Sequence, residues 1–401
     1  MSLRRLLDSV RPHLEKGGRF EWCAPLYEAI DTFLFSPDHV TSGSVHVRDR
    51  RDLKQVMITV VIALIPCILM GVANVGYEAD RILQLTNGYP SGWRGAILSL
   101  LGFRHDPESI VDNMLMGTAM YIPILLVTFA VGGFWEALFA VVRKKEINEG
   151  FLVTGTLFSL ILPPTIPLWQ VALGISFGVV IGKEIFGGTG MNFLNPALAG
   201  RAFLYFAYPG QLSGDRNWIA VDGYSGATLL SKAADRGVEL LGGMDEWWRA
   251  FLGIIPGSIG ETSTLACIIG AVLLIATGVG SWRIMLAVLA GGCGTTLLFN
   301  LVGSGTNPMF DLPFYWHVVM GGFAFGTVFM ATDPVSAAMT RAGQWVYGGL
   351  IGSVCILIRV VNPAFPEGMM LAILLGNVCA PLIDQVVIRL YRRGRVRHGE
   401  G

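Results

Sequence analysis

K-Q-V-M-I-T-V-V-I-A-L-I-P-C-I-L-M-G-V-A-N-V, residues 54–75, carries one charge, at its first position, and is apolar almost throughout. A hydrocarbon core of about 30 Å needs roughly 20 consecutive apolar helical residues. The run therefore predicts a helix that crosses a membrane. Comparable runs follow near 113–142, 150–166, 167–185, 195–210, 262–280, 284–303, 317–333, 344–360 and 367–389. The expected fold is all-α and polytopic, with about ten transmembrane helices. Composition agrees, since 14% charged residues is well below the quarter or so of a soluble domain. Pro163, Pro164 and Pro334 fall inside or at the ends of these runs and predict broken helices.

Around the spans the chain divides into a polar, basic arm (1–53), a first membrane block of five spans (54–210) and an outer segment (211–261). A second block of five spans (262–389) and a basic tail (390–401) complete it. The arm has no apolar h-region, so no signal peptide is expected. With the N-terminus placed in the cytoplasm, 20 of the 29 Lys and Arg fall on the cytoplasmic side and seven on the other. Arg201 and Arg359 lie within or at the end of spans. The positive-inside bias predicts both termini cytoplasmic and residues 211–249 on the far face.

The two blocks share fragments. Gly155-Thr156-Leu157-Phe158 precedes Pro163 by the same spacing that separates Gly326-Thr327-Val328-Phe329 from Pro334. Asn195-Pro196-Ala197 and Asn362-Pro363-Ala364 precede the fifth and tenth spans. Two five-span halves on this plan would be inverted, an arrangement in which helix breaks expose carbonyls that can coordinate an ion. Phe158 and Phe329, beside the breaks, are candidates to close a narrow path by dewetting. Ordinary packing is the competing account of both.

The six cysteines and six histidines are scattered without a C-x-x-C pair, so no metal or iron–sulfur site is expected. Zero net charge gives no case for nucleic-acid binding.

Asp222-Gly223-Tyr224-Ser225-Gly226-Ala227-Thr228, read alone, is a turn and a helix cap. Gly226 and Ala227 leave the backbone uncrowded, so a bulky group can reach the Thr228 hydroxyl. With V-G-G-F-W-E (131–136), I-G-K-E-I-F-G-G-T-G-M-N-F-L-N-P-A-L-A-G-R-A-F (181–203), I-P-G-S-I-G-E (255–261), F-M-A-T-D-P-V-S-A (329–337) and R-V-V-N-P-A-F-P-E-G-M-M-L-A-I-L (359–374), this stretch resembles the B-type subunits of the bacterial sodium-translocating NADH:quinone oxidoreductases over essentially the whole chain.

The resemblance implies FMN on Thr228 through a phosphoester, attached by a flavin transferase. It also implies a non-covalent riboflavin and electron delivery to ubiquinone. The setting would be a bacterial inner-membrane complex whose other subunits carry NADH-linked FAD, iron–sulfur centres and a second covalent FMN, with small membrane subunits and lipid around them. Asp222, Gly223, Ser225, Gly226 and Ala227 would surround the attached flavin. The turn Gly187-Gly188-Thr189-Gly190, with Asn192 and Asn195, is a candidate flavin environment, and Lys183 and Arg201 are candidates to neutralise a flavin anion.

Gly132 and Gly133 match positions linked to quinone. Glu28, Glu136, Asp333 and Asp384 match acids tied to cation uptake, and acids at membrane depth are functional candidates by default. The pumped ion is left open between Na⁺ and H⁺. Moving one charge against 100 mV costs about 2.3 kcal/mol, so an electron falling through a similar potential supplies the same work. The alternatives are the related subunit of the complexes that join ferredoxin to NAD, and a flavin-free transporter or channel.

Overall fold

The computed structural model describes residues 53–86, 92–100, 102–104, 106–144, 150–212, 217–221, 224, 226–362 and 367–399. The labelled helices are α1 (Leu53–Thr86), α2 (Gly92–Leu100), α3 (Ile110–Arg143), α4 (Gly150–Leu160), α5 (Leu168–Val180), α6 (Pro196–Ala207), α7 (Leu229–Arg236), α8 (Gly243–Leu252), α9 (Thr264–Ala276), α10 (Trp282–Val302), α11 (Phe314–Val319), α12 (Arg341–Val361) and α13 (Met369–Gly399). No strand occurs among the described residues. The chain is a multi-pass membrane protein.

Each of the ten predicted spans contains one helix or one broken helix. Six helical segments, those starting at Gln55, Ile110, Leu168, Trp282, Arg341 and Met369, are long and apolar enough to cross a bilayer. Their outer faces carry Ile58, Ile62 and Leu69 on α1 and Leu126 and Phe134 on α3, which suits contact with lipid. The other four predicted spans are shorter than expected. α4, α6 and α9 have 11, 12 and 13 residues. The eighth splits into α11, the turn Phe323–Phe325 and a π-turn over Gly326–Met330.

These half-helices have physical causes. α4 stops at Leu160 because Pro163 and Pro164 have no N–H to continue the ladder. Its freed carbonyls are taken by the segment ahead of α9, with Gly260 N donating to Leu160 O (2.8 Å) and Ile259 N to Leu162 O (3.2 Å). α11 ends without a proline. Met320 is extended and Gly321 has φ +62°, a turn that glycine supplies without strain.

Packing repeats between the halves. α3 packs on α5 and α5 on α6, while α10 packs on α12 and α12 on α13. α4 sits between α1 and α6 as the 323–330 segment sits between α9 and α13, and α1 meets α9 across the middle. α4 ends against Gly260, whereas Gly322 starts the 323–330 segment beside Glu261. The two matching fragments therefore run in opposite directions.

Candidate functional site

An open cavity, about 710 Å³ with the adjoining solvent space included, lies at the end of the bundle where α4 begins and the 323–330 segment finishes. Gly150, Thr154 and Leu157 of α4 form one wall, Phe329, Thr332 and Asp333 another, and Lys183, Thr189, Asn192 and Asn195 the polar base. Two sets of residues separated in sequence thus meet in one space.

The base is shaped by its glycines. Gly187, Gly188 and Gly190 have φ of +122°, +97° and +88°, so the turn demands residues without a Cβ. Lys183 O accepts from Phe186 N and Gly188 N, which folds the turn back on itself. Asn195 Oδ1 accepts from Ala197 N (3.0 Å) and Leu198 N (3.3 Å), capping α6 with Pro196 as its first residue. The positive end of α6 therefore faces the cavity. The Thr189 hydroxyl is buried with no hydrogen-bond partner among the described residues.

Charges around the base are mostly committed. Lys183 Nζ lies 2.6 Å from Glu136 Oε1, and Arg143 Nη1 lies 2.7 Å from Glu184 Oε2. Asp333, half-buried at the rim, accepts from Val335 N (3.2 Å) and Ser336 Oγ (2.7 Å). Among the described residues no three His, Cys, Asp or Glu side chains are placed to hold a metal ion.

The opposite end of the bundle carries the segment that contains Thr228. Thr228 is the N-cap of α7, with φ −66° and ψ 158°, and its Oγ1 accepts from Ser231 N (3.2 Å). A Cβ on Gly226 would meet the Ile219 side chain at 2.6 Å, so that loop lies flat on its neighbour. Arg201 belongs to this half of the bundle too, away from the cavity. Its guanidinium binds Glu261 (3.1 Å), Glu367 (2.8 Å) and Ser258 Oγ (3.3 Å). The Glu261 carboxyl, outside the helices, is pushed up to about 7 by burial, with Arg201 opposing the shift and Glu367 adding to it.

A model of the NQR2, RnfD, RnfE family matches residues 40–391. The chain belongs to that family. It is 60% identical over 397 residues to the B-type subunit of the Na(+)-translocating NADH-quinone reductase of Azotobacter vinelandii, covering 97% of each chain. Identity is 57% to the protein of the same name from Chromohalobacter salexigens, over 99% of this chain and 97% of that one. It is also 57% to that of Pseudomonas aeruginosa strain PAO1, over the full length of both.

Within this NQR2, RnfD, RnfE family chain, the expected site residues fall into separate places. Lys183, Thr189, Asn192, Asn195, Phe329 and Asp333 share the cavity. Glu136 joins them through Lys183. Gly132 packs against the Phe151 ring, and Gly133 is open except for Phe151 Cε1, 3.9 Å from where its Cβ would stand. Phe158 is fully buried against Gly174 and Gly200, outside the cavity lining. Asp384 also stands outside it, its carboxylate accepting from Met339 N (2.7 Å), Thr340 N (3.0 Å) and Thr340 Oγ1 (2.5 Å).

Glu28, Asp222, Gly223 and Ser225 lie outside the described residues. Reading the sequence missed Glu261 and Glu367, although both fall in the matching stretches 255–261 and 359–374. Acids just ahead of an apolar run were the available signal. It also missed Arg359, which is fully buried and donates to His317 O (2.7 Å), Met320 O (2.9 Å) and Glu367 O (3.1 Å).

Proposed function

We propose that this chain is the membrane subunit of a respiratory NADH:quinone reductase that passes electrons to ubiquinone and couples this to movement of Na⁺ or H⁺. The observation that carries the reading is identity of 57–60% along essentially the whole length of relatives named for sodium translocation and quinone reduction. A bacterial inner membrane, cytoplasmic termini, a flavin transferase and the remaining subunits of the complex belong to the same reading. The Lys and Arg bias of the sequence supports the orientation.

Thr228 is the residue we assign to covalent FMN. Its hydroxyl already stands at the N-terminus of α7, where backbone N–H groups favour a phosphate. Esterification would keep Oγ1 as the bridging ester oxygen, in place of its hydroxyl, and bring anionic phosphate oxygens to the same helix N-terminus. We assign the cavity base to riboflavin: the Thr189 hydroxyl, unpartnered among the described residues, the Asn192 and Asn195 amides and the α6 N-terminus offer polar groups on one side of the opening. Flavin bound at these places supplies one- and two-electron transfer. The chain's own part is to hold it, keep Lys183 neutralised by Glu136, and present Asp333 and Phe329 on the facing wall to the moving cation.

Flavin fluorescence of the denatured subunit on a gel tests the central assignment. The wild-type band should fluoresce, Thr228→Ser should keep the signal wherever the transferase accepts serine, and Thr228→Ala should be dark. A fluorescent Thr228→Ala band would remove Thr228 from the role.

A further inference from the structure

The seam between α1 and α3 holds polar atoms that the reading above does not use. The two helices run antiparallel and touch without side chains between them: Gly117 lies against Val72 O, and Gly76 lies against the backbone of Asn113. One turn beyond Gly76 on the same face of α1 stands Asp80. Its side chain is fully buried, and neither carboxylate oxygen has a hydrogen-bond partner among the described residues.

Asn113, 7% exposed, donates its Nδ2 to Pro107 O (2.9 Å), which turns the amide toward the turn that carries Asp106, an acid close enough to act on Asp80. That leaves Asn113 Oδ1 as a second buried oxygen without a partner among the described residues. Among the described residues, the charged groups acting on Asp80 are Asp112 and Asp106, both acidic. The nearest arginine along α1, Arg81, is directed to Glu78 at 3.4 Å.

A carboxylate enclosed in protein, faced by acids and given no donor among the described residues, calls for a positive charge. Its oxygens and that of the amide are hard ligands, which suit alkali and alkaline-earth ions rather than soft metals. Asp80 and the Asn113 amide, taken as the ligand pair, bring one negative charge to the ion. One charge matches a monovalent ion.

We propose that Asp80 and Asn113 form a binding site for a small monovalent cation at the Thr228 end of the α1–α3 seam. Only the identity of that ion as Na⁺ rests on the functional reading above. The site is then a resting place on the face of the bundle opposite the cavity.

The test uses the whole purified complex, with radioactive Na⁺ in equilibrium dialysis against a choline chloride background of fixed ionic strength. Thermal melting with NaCl replaced by choline chloride runs alongside. Asp80→Asn, which keeps shape and removes charge, should lose one bound Na⁺ per complex and the Na⁺-dependent part of the melting shift. Asn113→Ala should bind that Na⁺ more weakly while keeping the carboxylate.

Unchanged Na⁺ stoichiometry and melting shift in Asp80→Asn would make Asp80 a protonated core carboxyl and overturn the site. If that variant does not assemble, the Na⁺ affinity of Asn113→Ala decides: weaker binding supports the site and unchanged binding overturns it. Displacement of this Na⁺ by equimolar Ca²⁺ would overturn its monovalent character. Flavin fluorescence of the same preparations is read separately, so failure of the Thr228 assignment cannot be mistaken for failure of this one.

Discussion

Lys183 and Glu136 form a 2.6 Å ion pair with both side chains buried, tying the turn after α5 to the last third of α3. Removing one partner of such a pair leaves the other charged and enclosed, which costs about 3–5 kcal/mol. Glu136→Gln and Lys183→Met should therefore each lower the melting temperature of the complex. The double variant Glu136→Leu with Lys183→Met should recover most of the loss, because an apolar pair of similar size replaces the ions. If turnover stays low in a double variant whose melting temperature is restored, the pair has a part in transport beyond holding the cavity together.

Gly132 and Gly133 separate packing from function. A methyl on Gly132 would run into the Phe151 ring, whereas one on Gly133 would meet only Phe151 Cε1 at 3.9 Å. Gly132→Ala should destabilise by about 1–3 kcal/mol through overpacking. Gly133→Ala should melt like the wild type. Quinone reductase activity lost in Gly133→Ala, with NADH oxidation by an artificial acceptor retained, would point to quinone contact at that open face; unchanged quinone kinetics would remove Gly133 from the quinone site.

The sequence discloses these relations unevenly, for physical reasons. The long spans are legible because a bilayer demands uninterrupted apolar length, and all ten runs contain helices. The end of α4 is legible because proline removes a donor at Pro163. The break at 320–322 is not, since it depends on Arg359, 37 residues downstream of Gly322, holding the carbonyls of His317 and Met320. Asn195 shows how one residue serves two readings: its type and position suggested a ligand contact, and its side chain caps α6 while it lines the cavity. The Lys183–Glu136 pair spans 47 positions, a separation at which residue type alone names no partner.

Glu261 gives the fold a pH dependence whose sign follows from its environment. Its folded carboxyl is raised from 4.5 to about 7, first by burial, so in that window the folded state holds the proton more tightly than the unfolded one. Stability from this group is present at low pH and falls as pH rises from about 4.5 through 7. Melting temperatures measured from pH 5 to 8 should decline over that range, and Glu261→Gln, which fixes the neutral form, should flatten the decline. An unaltered slope in Glu261→Gln would place the titrating group elsewhere.

Asp333 and Asp384 are both acids near the same end of the bundle, yet their surroundings predict different phenotypes. Asp384 takes three hydrogen bonds from Met339 and Thr340, and Thr340 in turn caps α12 through Gly343 N (3.1 Å). An amide at 384 keeps the size but cannot accept so many donors on one side chain. Asp384→Asn should thus loosen the start of α12 and lower stability and turnover together. It should leave the Na⁺ concentration for half-maximal rate near its wild-type value. Asp333 takes its hydrogen bonds from Val335 and Ser336 in its own turn, ties no other helix among the described residues, and lines the cavity. Asp333→Asn should keep flavin content while shifting the Na⁺ dependence of turnover to higher concentration. The comparison is read from steady-state rates across a Na⁺ series, with melting curves on the same samples. A shift in Na⁺ dependence for Asp384→Asn and none for Asp333→Asn would move the cation route away from the cavity toward the α12–α13 contact.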